Sequence, residues 1–139
     1  YFPSWYFPRS GRRLALILAV VLLIISIMHI QQWYTSLTFL LLSLTLILLV
    51  YIRVDYLGRF FISYLIVLIP FFLINGVLTG SGIEQEVVWY DNTRNLSFRL
   101  FTIPVEDAFY GMLLILGNVA LYEYFEHRKN RSSGVATPP

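Results

Sequence analysis

The chain has 139 residues, of which 58% are hydrophobic and 13% charged, and its mean hydropathy is +0.69. A soluble domain carries roughly 25% charged residues, so a water-soluble globular fold is close to excluded. The 10 Tyr, 11 Phe and 3 Trp exclude a disordered chain as well. The sequence has no Cys, which removes thiolate chemistry, and its two His lie far apart, which argues against a metal site. The net charge of +2 gives no indication of nucleic acid binding.

Four largely apolar stretches follow one another along the chain. They run from Leu14 to Ile30, from Thr35 to Ile52, from Phe60 to Leu78 and from about Ala108 to Phe125. Each is long enough to cross a hydrocarbon core of ~30 Å as a helix rising ~1.5 Å per residue, and none alternates as a barrel strand does. We therefore expect an all-α fold, a polytopic membrane bundle of four transmembrane helices.

Basic residues flank these stretches unequally. Eight of the ten Lys and Arg residues fall on one side of the expected membrane, and the other two are Arg94 and Arg99. Because basic residues are enriched in cytoplasmic loops, both termini are predicted to be cytoplasmic. Residues 1–13 are expected to form an interfacial segment, residues 14–131 the membrane domain and residues 132–139 a disordered tail.

Polar residues enter the apolar layer mainly in the last two stretches, so the first two are expected to serve as scaffold. In the third stretch, Tyr64, Leu68, Phe71 and Asn75 have the spacing of one helix face. An amide inside a bilayer is costly unless it is paired, which makes Asn75 a candidate functional residue. A plain helix end followed by the Gly-rich sequence after Thr79 is the simpler alternative, and it stays open.

The connection from Ile83 to Thr102 is long and rich in aromatic residues. Its pattern predicts either two short extended segments around a polar turn or a lid along the membrane surface, with Trp89 and Tyr90 at headgroup depth. We favour the lid, because Glu84, Glu86 and Arg99 give it groups that can pair with the helix that follows.

Two adjacent acids open the fourth helix. Pro104 fits its first position, where a missing N–H costs nothing, and Glu106 and Asp107 follow at the positive end of the helix dipole. This is a common way to begin a helix, and it explains the acids by itself. A stripe of small and polar residues nevertheless continues inward from this turn: Asp107, Gly111, Leu114 and Asn118. The stripe predicts a packed polar face.

The charge state of the two acids depends on which physical effect prevails. The helix N-terminus and Arg99 favour ionised carboxylates, whereas burial and a neighbouring carboxylate favour a protonated one. If burial prevails, one acid keeps its proton at neutral pH and serves as a general acid, while the other holds the charge. The sequence alone leaves both outcomes open.

Three groups of residues follow in order along the second half of the chain: Asn75–Gly80, Ile83–Glu84 with Val87–Tyr90, and Thr102–Asp107 with Phe109–Tyr110. Together they resemble the membrane-integral lycopene cyclases, which are heterodimers in some bacteria, single chains in archaea and fusions with phytoene synthase in fungi. The resemblance covers roughly residues 60–125, and the first two stretches match only as generic membrane helices. Family members have two similar halves, each with a Pro-x-Glu-(Glu/Asp) motif, and this chain resembles the second half.

The resemblance implies a carotenoid end-group cyclase, of the lycopene β-cyclase type, that uses no cofactor and no metal. A carboxylic acid protonates a linear end group, a six-membered ring closes, and loss of a proton leaves the ring alkene. The implied catalytic carboxyl groups are Glu106, Asp107 and Glu84. The residues implied in substrate binding are Asn75, Thr79, Trp89, Tyr90, Arg99, Phe109 and Tyr110.

The implied partners are a lipophilic carotenoid, the lipid bilayer and a second cyclase half or another subunit, supplied by a partner chain or an upstream region. The implied location is the inner (cell) membrane of a bacterium or archaeon. Two alternatives stay open: a non-catalytic carotenoid- or lipid-binding membrane subunit, and a small proton-relay or transport protein. Bound but unchanged carotenoid would indicate the first, and a conductance or uptake signal the second.

Overall fold

The computed structural model describes residues 8–79, 96, 98–100 and 102–132. Most of them lie in four helices: α1 (Pro8–Met28), α2 (Trp33–Tyr51), α3 (Leu57–Leu78) and α4 (Val105–Ser132). Two short antiparallel strands precede the last helix: β1 (Arg99–Leu100) and β2 (Ile103–Pro104). Each helix is long and apolar enough to cross a membrane, which confirms the predicted helical fold with four membrane-length helices.

The four helices are packed unequally around the bundle. α1 packs along α2 and also contacts α3, and α2 packs along α4 on its other side. α3 and α4 meet only over a short stretch. The α3–α4 side is therefore the loosest side of the bundle.

The most extensive packing lies between α1 and α2. Ala15 and Ala19 are fully buried, and their small side chains let the two helix backbones approach closely. Ser43 donates a 2.9 Å hydrogen bond to the carbonyl of Ala19, and Ser26 donates one of 2.8 Å to the carbonyl of Ser36. Polar side chains of the first two helices thus hold these helices together.

α1 and α3 make a close backbone contact near their first residues. Gly11 is buried against Gly58, and a Cβ atom at Gly11 would overlap the Gly58 backbone. Both helices therefore begin at the same end of the bundle, and α2 and α4 begin at the other. We call the first the basic end and the second the acid end. The described basic side chains at the basic end outnumber the acidic ones: Arg9, Arg12, Arg13, Arg53, Arg59, Arg128 and Lys129 against Asp55, Glu123 and Glu126.

α2 ends at the basic end in a turn that usually contains glycine. The amide of Val54 donates to the carbonyl of Leu49 at 3.2 Å and that of Arg53 to the carbonyl of Val50 at 3.1 Å, which is the Schellman arrangement. Arg53 has a φ of 58°, in the left-handed region that favours glycine. A non-glycine residue there costs roughly 1–2 kcal/mol, so the chain holds an arginine against the local backbone preference.

The stripe predicted on α3 faces the bundle. Tyr64 is buried, and the other three residues of the stripe are half-buried. The opposite face of α3 is apolar and exposed, with Leu65, Ile66 and Ile69 each more than 60% accessible. A helix that shows its apolar side chains outward suits lipid or another apolar helix, which agrees with the membrane character of the sequence.

The stripe predicted on α4 is wrong beyond its first turn. Leu114 is 49% exposed, and Asn118 is exposed and donates its amide hydrogen to the Leu114 carbonyl at 2.8 Å. The buried face of α4 instead runs from Glu106 through Met112 to Leu116. Contact with α2 sets this face, because Asp107 lies at the edge of the α2–α4 interface and its row of residues turns away from the bundle further along.

Candidate active site

The strand pair determines how the chain approaches α4. Arg99 pairs with Pro104, and the amide of Val105 donates to the carbonyl of Phe98 at 3.1 Å. Pro104 is therefore the last residue of β2, and α4 begins one residue later than predicted. Proline suits either position because it has no N–H to pair. The predicted placement of both acids in the first helical turn is confirmed.

Both acids of this turn are buried. Glu106 has no exposed surface, and Asp107 is 8% exposed. The hydroxyl of Tyr34 donates a 2.6 Å hydrogen bond to Oδ1 of Asp107, and the hydroxyl of Thr35 donates one of 2.7 Å to Oε1 of Glu106. Two adjacent residues in the first turn of α2 therefore bind two adjacent residues in the first turn of α4.

The two carboxyl oxygens of Glu106 have different surroundings. Oε1 accepts the Thr35 hydrogen bond and a second one, of 2.6 Å, from the amide of Leu96. Oε2 is buried and accepts no hydrogen bond from the described residues. A buried polar atom without a partner costs about 1–3 kcal/mol, and more if it is charged. Glu106 is thus hydrogen-bonded through Oε1, whereas Oε2 has no donor among the described residues.

Aromatic rings lie on both sides of the acid turn. Phe109 packs edge-to-face on Phe39 of α2, with ring centroids 5.1 Å apart and an interplanar angle of 79°. The ring of Tyr110 lies 6.4 Å from that of Tyr34, the residue that binds Asp107. Tyr110 is also 44% exposed on the outer surface. Phe109 therefore contributes a ring to the core and Tyr110 a ring to the bundle surface.

Tyr64 connects the acid turn to a cavity on the α3–α4 side. Its hydroxyl donates a hydrogen bond to the carbonyl of Ala108, the residue after Asp107. A Cβ atom at Gly111 would lie 3.3 Å from the same hydroxyl, so the missing side chain makes room for Tyr64. The cavity has a volume of about 230 Å³ and is lined mainly by apolar residues of α3 and α4, among them Tyr64, Val67 and Ile115. It extends from Tyr64 towards the basic end.

The other predicted site residues are only partly described. The hydroxyl groups of Thr79 and Thr102 share a hydrogen bond of 2.6 Å, which connects the end of α3 to the segment before α4. Asn75 donates its amide hydrogen to the Phe71 carbonyl of its own helix at 2.9 Å, and no hydrogen bond joins it to the acids. The predicted residues outside the description are Glu84, Trp89, Tyr90 and the side chain of Arg99. The same is true of most of the connection predicted as a lid or as two extended segments, so both alternatives stay predictions.

Tyr34 and Thr35 were not predicted from the sequence as site residues. The first two helices were expected to be scaffold, and these residues lie at the start of the second. The sequence did contain one indication. The predicted topology places three consecutive hydroxyl residues, Tyr34–Ser36, at the same end of the bundle as Pro104–Asp107. Among the described residues, no three His, Asp or Glu side chains form a group that could hold a metal ion.

A comparison with protein families connects this site to a known group. A family model described as lycopene cyclase matches residues 31–125, about two thirds of the chain. The match includes both acids and both hydroxyl residues that bind them. It begins at residue 31, whereas the resemblance seen in the sequence begins near residue 60. α2 is therefore part of the matched region and not only a generic membrane helix. Neither the search of curated proteins nor that of solved structures found a match. The chain belongs to the lycopene cyclase family.

Proposed function

We propose that this chain is a carotenoid end-group cyclase that starts ring closure by transferring a proton from Glu106. Family membership supports a role in carotenoid cyclisation in general. The finer assignment, proton-initiated formation of a β-type ring, is our proposal. It rests on one observation above all, the unequal surroundings of the two carboxyl oxygens of Glu106.

To act as the acid, Glu106 must carry its proton on the oxygen that the two donors leave free. Two donors already occupy Oε1, and the bare Oε2 is the oxygen left to carry a hydrogen. A hydrogen on Oε2 would lie in the interior of the bundle, since Glu106 has no exposed surface. Exclusion of water from such a site protects a reactive cation from side reactions with water.

The proposed reaction needs no change of oxidation state. The Glu106 proton adds to the terminal double bond of a linear end group and leaves a tertiary cation. The π electrons of a nearby double bond of the same end group attack that cation, which closes a six-membered ring and moves the positive charge into it. Loss of one proton from the ring forms the ring double bond. One proton is gained and one is lost, so product and substrate are isomers.

Asp107 is the proposed charged partner of this acid. It accepts the Tyr34 hydrogen bond at 2.6 Å and lies at the edge of the interface, 8% exposed, where a negative charge costs less than at Glu106. A carboxylate there attracts the positive charge of the intermediate and can accept the proton that is lost. The rings of Tyr34 and Tyr110 add faces that stabilise a carbocation.

The substrate is proposed to reach the acids from the apolar surroundings of the bundle. The α3–α4 side is the loosest, and its cavity ends at Tyr64, one hydrogen bond from the acid turn. The cavity of about 230 Å³ is smaller than a typical site for a whole drug-sized ligand, so it suits only part of a long carotenoid. Family resemblance adds Glu84, Trp89, Tyr90 and Arg99 to the proposed site, and a second cyclase half as its partner. The residues carried over from α3 are Asn75 and Thr79.

The four apolar helices indicate a membrane protein. We propose that both termini are cytoplasmic, because basic side chains predominate at the end where α1 begins and α4 ends. The acid end then lies near the opposite membrane surface. The proposed location is the cell membrane of a bacterium or archaeon.

Expression in lycopene-producing cells tests the proposed function. The chain is produced alone and together with a family half that carries the other Pro-x-Glu-(Glu/Asp) motif, and the extracted pigments are separated by chromatography. We expect a product of unchanged mass with one or two rings, in at least one of the two strains. Lycopene that stays linear in both strains, with the protein present in the membrane fraction, would contradict the proposal.

A non-catalytic carotenoid-binding subunit is the second candidate. It is favoured by one feature, that the described cavity on the α3–α4 side borders Tyr64 and does not reach the carboxyl groups. Pigment analysis of the purified protein separates the two. Linear carotenoid that copurifies, without any cyclised product in the cells, would indicate the subunit.

Loss of the Thr35 hydroxyl is expected to slow cyclisation about five-fold. Thr35→Val removes one of the two donors to Glu106 and leaves the size of the side chain nearly unchanged. One net hydrogen bond contributes about 1 kcal/mol, and 1.4 kcal/mol corresponds to about ten-fold in rate. The measurement is the initial rate of ring formation in isolated membranes, per amount of protein.

The matched control for this change is Thr38→Val, one turn further along α2. Thr38 is 4% exposed, and no hydrogen bond joins it to either acid. Thr35→Ser keeps the hydroxyl and is expected to retain most of the rate. Equal rates for Thr35→Val and Thr38→Val would show that the hydroxyl does not act through Glu106.

A further inference from the structure

A second cavity lies at the basic end, far from the acid pair. Its volume is about 650 Å³, and it lies between the end of α2, the turn into α3 and the last part of α4. Its walls include apolar side chains of both helices, such as Leu48, Leu49 and Leu121. Its lining shares Arg59 and Tyr56 with the cavity on the α3–α4 side. The arginine, acidic and histidine residues of the lining, which we call its rim, are Arg53, Arg59, Asp55, Glu123 and His127. We call this second cavity the basal cavity.

The side chains of the two arginines at this rim have no polar partner among the described residues. Neither Arg53 nor Arg59 makes an ion pair or a side-chain hydrogen bond with a described residue. Asp55, between them in sequence, makes none either, and Glu123 lies 3.8 Å from His127. A guanidinium group binds a phosphate or a carboxylate through two parallel hydrogen bonds. The rim therefore offers two guanidinium donors to a ligand, beside the carboxylates of Asp55 and Glu123.

Backbone strain adds an independent observation at the same place. Arg53 has a φ of 58° at the position of the α2 end where glycine is preferred. Strained residues that a fold retains occur often where a side chain binds a ligand. Holding the Arg53 guanidinium at the rim of the basal cavity gives this arginine a role that glycine lacks.

Tyr56 adds a hydroxyl group to the same lining. Burial, with a smaller effect from the nearby carboxylate of Glu123, raises the pKa of the Tyr56 hydroxyl above its ordinary value. The hydroxyl therefore stays protonated at neutral pH and can donate a hydrogen bond. It belongs to the lining of the basal cavity together with both arginines.

We propose that the basal cavity binds one anionic phospholipid, whose phosphate contacts Arg53 and Arg59 and whose acyl chain lies on the apolar wall. The wall continues onto the outer surface, since Leu48 is 56% exposed and Leu121 is 58% exposed. A free phosphate ion would not use that apolar surface. The basic end also carries more basic than acidic side chains, which favours an anionic headgroup over a zwitterionic one.

Thermal unfolding of the purified full-length chain tests this proposal. The protein in neutral detergent is titrated in parallel with phosphatidylglycerol, phosphatidylcholine and inorganic phosphate, and the Tm is followed. We expect phosphatidylglycerol to raise the Tm, and the other two to raise it little at the same concentration. Arg59→Gln is expected to weaken the phosphatidylglycerol response about ten-fold in midpoint concentration, as loss of a charge-assisted hydrogen bond does. Arg128→Gln, an exposed residue outside the lining, is expected to leave the response unchanged.

Arg53→Gly separates lipid binding from folding. Glycine suits the left-handed conformation, so the Tm without lipid is expected to stay the same or to rise. The phosphatidylglycerol response is nevertheless expected to weaken. An unchanged response in Arg53→Gly would overturn the proposal. So would an equal rise in Tm with phosphatidylcholine, or a full rise with inorganic phosphate alone.

Discussion

Glu106→Gln is expected to lower the rate of ring formation by about 10²–10⁴-fold, the range that general acid catalysis usually contributes. Glutamine has nearly the same size, and its side-chain oxygen can still accept from Thr35 and Leu96. It has no acidic hydrogen to transfer to an alkene. The protein should therefore fold and reach the membrane while its reaction nearly stops, as measured by cyclised pigment per amount of protein.

Two further variants show whether the effect is specific to this carboxyl group. Asp107→Asn keeps an acceptor for the Tyr34 hydroxyl and removes the negative charge. We expect it to lower the rate as well, because the cationic intermediate loses that charge. Glu126→Gln, on the exposed part of the same helix, is expected to cyclise like the unchanged chain. If Glu106→Gln and Asp107→Asn both keep full activity, neither acid is the proton donor.

The same glycine-to-alanine change is expected to have opposite effects on stability in two helices. At Gly11, a Cβ atom would overlap the backbone of Gly58, so α1 and α3 must separate. Overpacking of this kind typically costs about 1–3 kcal/mol of unfolding free energy. At Gly117 of α4, a Cβ atom would meet nothing within 4 Å. Alanine there gains roughly 0.5–1 kcal/mol through its better helix propensity.

Unfolding in mixed micelles by titration with an ionic detergent measures both changes on one scale. The informative quantity is the difference in unfolding free energy between Gly11→Ala and Gly117→Ala, because both replace the same residue type in a helix. We expect the first variant to be the less stable of the two. Equal stabilities would mean that the contact between Gly11 and Gly58 does not hold α1 and α3 together.

Much of the fold could be predicted from the sequence because the apolar runs are long and clearly bounded, by short polar turns between the first three and a longer connection before the fourth. The inward face of α3 was predicted from spacing, since Tyr64 and Asn75 are rare polar residues in an apolar helix. The inward face of α4 was not. Both acids of its first turn are buried, and the sequence does not tell which of the two rows continues into the core. Packing on α2 selects the row of Glu106.

The candidate site was half predictable for a similar reason. Buried acids at a helix start are conspicuous in an apolar chain, so Glu106 and Asp107 were identified from sequence. The hydroxyl groups that bind them lie 71 and 73 residues away in sequence, in a segment of ordinary interfacial composition. Hydrogen bonds between such distant residues depend on how the helices pack, which no local pattern specifies.

The paired contacts between the first turns of α2 and α4 also align the two helices. Tyr34 and Thr35 match Asp107 and Glu106 one to one, and a shift of α4 by a single residue turns its side chains by about 100°. Such a slip would break both bonds at once and leave two carboxyl groups stranded in an apolar interior. The side chains proposed for catalysis therefore also fix the rotation of α4 about its own axis relative to α2.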